Sequence, residues 1–114
     1  MIDDDARVRE MLRDVMTAFG YEVDVADDGR AGLIKFRQRP ADVVITDLMM
    51  PGLDGLQVAA ELRVSHPTVP IILITGFAGD AAVNEAHRLG LTIVYKPIAV
   101  PALKAVINAV LGAA

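Results

Sequence analysis

Val43-Val44-Ile45-Thr46-Asp47-Leu48-Met49-Met50-Pro51-Gly52-Leu53-Asp54-Gly55 is the stretch that decides the fold. Val43, Val44 and Ile45 form a continuous apolar run without polar alternation, as in a strand covered on both faces of a parallel sheet. Pro51, Gly52 and Gly55 make Met50–Gly55 a loop. Asp47 therefore stands at the carboxyl end of a buried strand, the rim where open parallel sheets bind their ligands.

Outward from this stretch, helical and strand periods alternate. Val8, Met11, Leu12, Val15, Met16 and Phe19 fall at helical spacing on one face, with Asp5 placed to cap them and Gly20 to stop them. Tyr21–Ala26 reads as a strand, and Ala31–Arg39 as a helix with Leu33 and Phe36 inward and Pro40 closing it. Leu56–Ser65 reads as a helix with Leu56, Ala59 and Leu62 inward. Pro70–Thr75 is a second strongly apolar strand, and Gly76–Gly79 a loop. Asp80 can cap a short helix to Leu89. Thr92–Tyr95 is a last strand. Pro101 suits a helix start, followed by a stripe of Leu103, Val106, Ile107, Val110 and Leu111. The alternation predicts an α/β fold, a parallel sheet with helices on both faces.

Composition narrows the function classes. The 114 residues fit one compact domain, 1–114, and a 54% hydrophobic content can build its core. The absence of cysteine excludes disulfides and thiolate metal sites. Net charge is −4 with the basic residues scattered, so no footprint for nucleic acid is present. No apolar run approaches the roughly 20 residues of a membrane helix, and Met1–Asp5 is acidic, unlike a secretory leader. The expectation is a cytoplasmic domain with neither nucleic acid nor membrane as direct partner.

The strand ends carry the chemistry. Asp3 and Asp4 follow the first apolar residues, Asp47 ends the decisive strand, Thr75 the next, and Lys96, before Pro97, the last. Taken singly, each has an ordinary reading as a cap, a turn residue or a solvated lysine. Together they place three carboxylates, a hydroxyl and an ammonium on one rim. Crowded carboxylates repel, and a hard divalent cation such as magnesium relieves that repulsion. Lys96 and Thr75 can meet phosphoryl oxygens while a carboxylate acts as nucleophile. A phosphatase of the strand-end aspartate type needs a second acid two residues on, where this chain has Met49. His66 and His87 read as surface histidines rather than phosphodonors.

The acid pair, the quoted stretch around Asp47, Thr75-Gly76 and Lys96-Pro97 together resemble the receiver domain of bacterial two-component response regulators, of the chemotaxis-regulator type. The resemblance covers almost the whole chain. It implies a flavodoxin-like doubly wound (βα)5 fold with five parallel strands in the order 2-1-3-4-5. It implies Asp47 as phosphoacceptor, Asp3, Asp4 and the Met49 carbonyl as further magnesium ligands, and Thr75 and Lys96 as switch hydroxyl and phosphate-binding lysine. It implies a cis peptide at Lys96–Pro97. The phosphoryl donor would be a histidine kinase or a histidine phosphotransfer protein, and the chain would be a signalling switch rather than an enzyme with turnover. A phosphorylation-independent interaction module on the same fold is the alternative. A face including Val83, His87, Ala102 and Leu103 would serve homodimer formation or target binding.

Two departures stand out. Only Met1 and Ile2 precede the acid pair, so the first strand reads as truncated, and exchange between two chains is one way to complete that edge. The family's aromatic switch position falls on Ile93, with Tyr95 two residues on and on the same strand face.

Overall fold

The computed structural model describes residues 1–112 as five helices against a parallel sheet. Three strands form the ladder, β1 (Val44–Asp47), β2 (Ile71–Thr75) and β3 (Thr92–Tyr95), in that spatial order. The register pairs Val44 with Ile71 and Ile72 with Thr92. All nine residues of β1 and β2 are buried, as the unbroken apolar runs require.

Side chains alternate across the sheet and divide the core in two. Val44 and Ile71 pack with Leu33, Phe36, Val58 and Leu62, from helices α2 (Gly29–Gln38) and α3 (Gly55–Ser65). Ala86 of α4 (Asp80–Arg88) joins that face. Ile45, Ile72 and Ile74 pack on the other face with Leu12 and Met16 of α1 (Ala6–Ala18) and Leu103 and Ile107 of α5 (Val100–Gly112).

Local chemistry sets most helix starts. The Asp5 carboxylate accepts from Arg7 N–H at 3.0 Å. Asp54 and Gln57 form a reciprocal capping box with both bonds at 2.8 Å. Asp28 caps α2 through Ala31 N–H at 2.7 Å, so this helix begins two residues before the expected Ala31. At Gly29 and Gly32 tertiary crowding leaves no room for a Cβ. A Cβ at Gly29 would lie 2.7 Å from Val58 Cγ2, and one at Gly32 would lie 2.3 Å from Ile2 Cδ1. In α4 the N-cap is Gly79, and Asp80 is the first helical residue rather than the cap.

Other expectations are corrected by burial. Met11 and Phe19 lie at the margins of the α1 stripe and are 45% and 38% exposed. Lys104 Nζ sits 4.4 Å from the centre of the Phe19 ring. Leu103 is buried against the sheet, so it cannot contribute to an outer docking face. Of the histidines, His87 is exposed, whereas His66 is half-buried with its ring edge-on to Phe36 at 4.8 Å.

Tyr21–Ala26 does not form the expected strand. Ile2 alone bridges Ala26 on one side and Thr46 on the other, both in parallel. Ile2 N–H donates to Ile45 O at 2.8 Å, and Ala26 N–H to Met1 O at 2.9 Å. With two residues between them, Tyr21–Val25 and the start of β1 have no common partner. A groove of about 440 Å³ separates them, lined by Val23, Leu33, Val44, Leu62 and Ile107 among others. The Met1 ammonium donates to Asp24 O at its edge.

Candidate functional site

The site lies at the carboxyl ends of the strands, where Asp3, Asp47, Thr75 and Lys96 leave the sheet. Main-chain hydrogen bonds hold the backbone there. Asp3 N–H donates to Ala26 O, Asp47 N–H to Ile2 O, and Lys96 N–H to Thr75 O, at 2.8–3.1 Å. Gly55, the first residue of α3, presses on the same rim. A Cβ there would lie 2.4 Å from Asp47 O, closer than any side chain tolerates.

Asp47 is 5% exposed and is held by both carboxylate oxygens. Oδ1 accepts from Met49 N–H at 3.2 Å, and Oδ2 from Lys96 Nζ at 3.0 Å. Asp3 is fully buried, with Oδ1 accepting from Asp5 N–H at 2.8 Å. Among the described residues its Oδ2 has no hydrogen-bond partner, and Lys96 Nζ stands 3.9 Å away. Asp4 is exposed, yet one carboxylate oxygen from each of Asp3, Asp4 and Asp47 lies within 4.8 Å of the other two.

The electrostatics follow from this crowding. Burial pushes the Asp3 carboxyl up, the Asp5 N–H bond opposes that, and the Asp47 charge adds to it. Burial alone would lower Lys96. The hydrogen bond and charge of Asp47, with Asp3 and Asp5 behind them, outweigh it, and its pKa is raised. One ammonium thus faces three carboxylates. The hard-oxygen donor set, the short separations and the unpartnered buried Oδ2 all fit a small divalent cation such as magnesium.

Thr75 is buried beside this group, but its hydroxyl is occupied. Oγ1 donates to Phe77 O at 2.7 Å and accepts from Phe77 N–H at 3.2 Å. Met49 and Phe77 flank the site with 71% and 77% exposure. Lys96–Pro97 is cis, as the resemblance implies. Ile93 packs against the core cluster, whereas Tyr95 is 52% exposed.

Sequence reasoning missed one contributor. Arg9 of α1 reaches back to donate Nη1–H to Asp3 O at 2.7 Å. An arginine on an amphipathic helix carries no mark of the carbonyl it will reach, so spacing alone could not have found it.

Comparison with known proteins identifies the family. The family model described as response regulator receiver domain matches residues 1–108. The chain belongs to that family. A probable transcriptional regulator, ycf27 of Guillardia theta, is 40% identical over 112 residues, covering 97% of this chain and 44% of the relative. This chain therefore spans less than half the length of that curated relative. The chemotaxis protein CheY4 of Vibrio cholerae superposes with a TM-score of 0.91 at 29% identity, over 96% of this chain and 94% of that one. The receiver domain of NtrX from Brucella abortus gives a TM-score of 0.91 at 26% identity, over 99% and 97%. The fold is thus the flavodoxin-like α/β fold of chemotaxis-type receivers, and the chain is the receiver domain of a two-component response regulator. Domains of this family are signalling modules and not enzymes with a turned-over substrate.

Proposed function

We propose that this receiver is a phosphorylation-activated switch that takes a phosphoryl group on Asp47. The observation that carries the reading is the Asp47 carboxylate, buried at a strand end and bonded to Lys96 at 3.0 Å within a cluster of acids. The donor is a phosphohistidine on a histidine kinase or histidine phosphotransfer protein. A carboxylate oxygen of Asp47 bonds to phosphorus as the P–N bond breaks, and the imidazole leaves with the electron pair. Asp3, Asp4, Asp47 and the Met49 carbonyl would hold magnesium, which would supply charge neutralisation at the phosphoryl oxygens.

The chain's own residues do the remaining work. Lys96 exchanges its bond to Asp47 for one to a phosphoryl oxygen. The Thr75 hydroxyl leaves the Phe77 carbonyl and donates to a phosphoryl oxygen, which draws the Gly76–Gly79 loop inward. The phosphoryl group favours the active conformation because Thr75 and Lys96 reach it only there. The face that answers this movement contains the exposed parts of α4, β3 and α5, including His87, Tyr95 and Ala102. It serves target binding or homodimer formation. We read the Ile2 bridges as the positions of two further strands, giving the order 2-1-3-4-5, and place the domain in the cytoplasm.

The test is intact mass after incubation with magnesium and acetyl phosphate, beside Asp47→Asn. One added phosphoryl group in the parent, absent from the variant and lost on chelation, is the expected result. A folded parent that gains no mass would sink the phosphoswitch and favour a phosphorylation-independent interaction module.

A further inference from the structure

We propose that Arg9 is a positioning residue of the acid cluster, setting the affinity of the site for its divalent cation through the main chain of Asp3. The inference rests on the metal reading of the cluster given above.

The peptide unit joining Asp3 to Asp4 is planar, so its orientation decides where Asp4 begins. Three contacts constrain Asp3 before that unit. Its N–H donates to Ala26 O at 3.1 Å, its side chain is buried, and its Oδ1 accepts from Asp5 N–H. The carbonyl is the remaining degree of freedom, and Arg9 Nη1 holds it at 2.7 Å. Among the described residues the Asp4 side chain makes no hydrogen bond, so its direction depends on the backbone that Arg9 fixes. The other arginines of α1 act elsewhere. Arg7 is solvent-exposed beside Asp5, and Arg13 pairs with Asp14.

Arg9 is also a cation near a cation site, and this makes the proposal decidable by sign. If its charge were all that mattered, removing it would relieve repulsion with the metal and tighten binding. If it positions Asp3 and Asp4, removing it loosens binding despite the electrostatic gain. Groups that orient metal ligands from behind typically govern affinity by about tenfold or more.

The experiment is calorimetric titration of the full chain with magnesium chloride, for the parent, Arg9→Met and Arg9→Lys. Thermal unfolding of each metal-free protein is measured in parallel. The expected result is a Kd raised about tenfold in Arg9→Met, with the metal-free unfolding temperature close to the parent's. Arg9→Lys, which keeps the charge and a donor on a different stem, recovers part of the loss. Tighter or unchanged binding in Arg9→Met would overturn the proposal. If Arg9→Met does not fold, Arg9→Lys alone decides, since parental affinity in that variant would show that charge and not the guanidinium geometry matters. A parent that binds no magnesium at all overturns the metal reading and this proposal with it.

Discussion

Replacing Asp3 by asparagine should stabilise the metal-free protein while weakening its response to magnesium. Asp3 is fully buried, one carboxylate oxygen has no hydrogen-bond partner, and its neighbours Asp4 and Asp47 carry like charge. An unsatisfied buried polar group costs about 1–3 kcal/mol, and more when charged. Lys96 at 3.9 Å returns part of that cost, so a net gain of about 1–2 kcal/mol is expected for Asp3→Asn. The side-chain oxygen that accepts from Asp5 N–H survives the substitution. In a domain of this size 1 kcal/mol moves the unfolding temperature by roughly 4 °C. Thermal unfolding in EDTA, followed by circular dichroism, should therefore place the variant roughly 4–8 °C above the parent. Adding magnesium at a hundredfold excess over Kd should raise the parent by about 2.7 kcal/mol, and the variant by clearly less. An Asp3→Asn protein that melts at or below the parent in EDTA would refute the reasoning, because the buried carboxylate would then not be a source of strain.

Lys96 sets a pH dependence. Its folded pKa is raised, so its contribution to stability is complete below its ordinary value near 10.5 and is lost as pH rises through the folded pKa. Unfolding temperatures measured from pH 8 to 11 should fall at the alkaline end in the parent and less steeply in Lys96→Met. Gly55→Ala places a Cβ 2.4 Å from Asp47 O and should cost about 1–3 kcal/mol, with the rate of labelling by acetyl phosphate reduced as the carboxylate is displaced. A normal melting temperature and a normal labelling rate would show that α3 yields. Appending three apolar, β-branched residues before Met1 should fill the groove beside Val23 and Val44 and raise the unfolding temperature by several degrees. Each buried side chain is worth roughly 1.5–3 kcal/mol, against about 1–2 kcal/mol of backbone ordering. An unchanged melting curve would mean that the groove does not accept a strand.

The parts of the fold that were legible in the sequence are those where burial on both faces leaves no alternative. Val44–Asp47 and Ile71–Thr75 lie within a residue of their predicted limits because unbroken apolar runs have no other place in a parallel sheet. The site residues were legible through their order, each following its strand, and the chain brings Asp3, Asp4, Asp47 and Lys96 together. What escaped depends on neighbours distant in the chain. Tyr21–Ala26 has the composition of a strand, but among the described residues its one β-bridge is that of Ala26 to Ile2. Gly29 and Gly32 look like helix breakers until Val58 and Ile2 are pressed against them. The Thr75 hydroxyl is turned to Phe77, and Arg9 to Asp3, by tertiary geometry that no local pattern encodes.

The acid cluster and its neutralising lysine are far apart in sequence, residue 3 and residue 96. During synthesis the carboxylates of Asp3 and Asp47 emerge well before the ammonium of Lys96. Until Lys96 and α5 are available, Asp3 and Asp47 would be crowded without their internal counter-charge, and β2 would lack its outer neighbour. A nascent chain is therefore expected to be unreceptive to signal until Lys96 and α5 have emerged. Arrest peptides placed at successive lengths beyond Tyr95 would show whether competence for acetyl phosphate appears in one step.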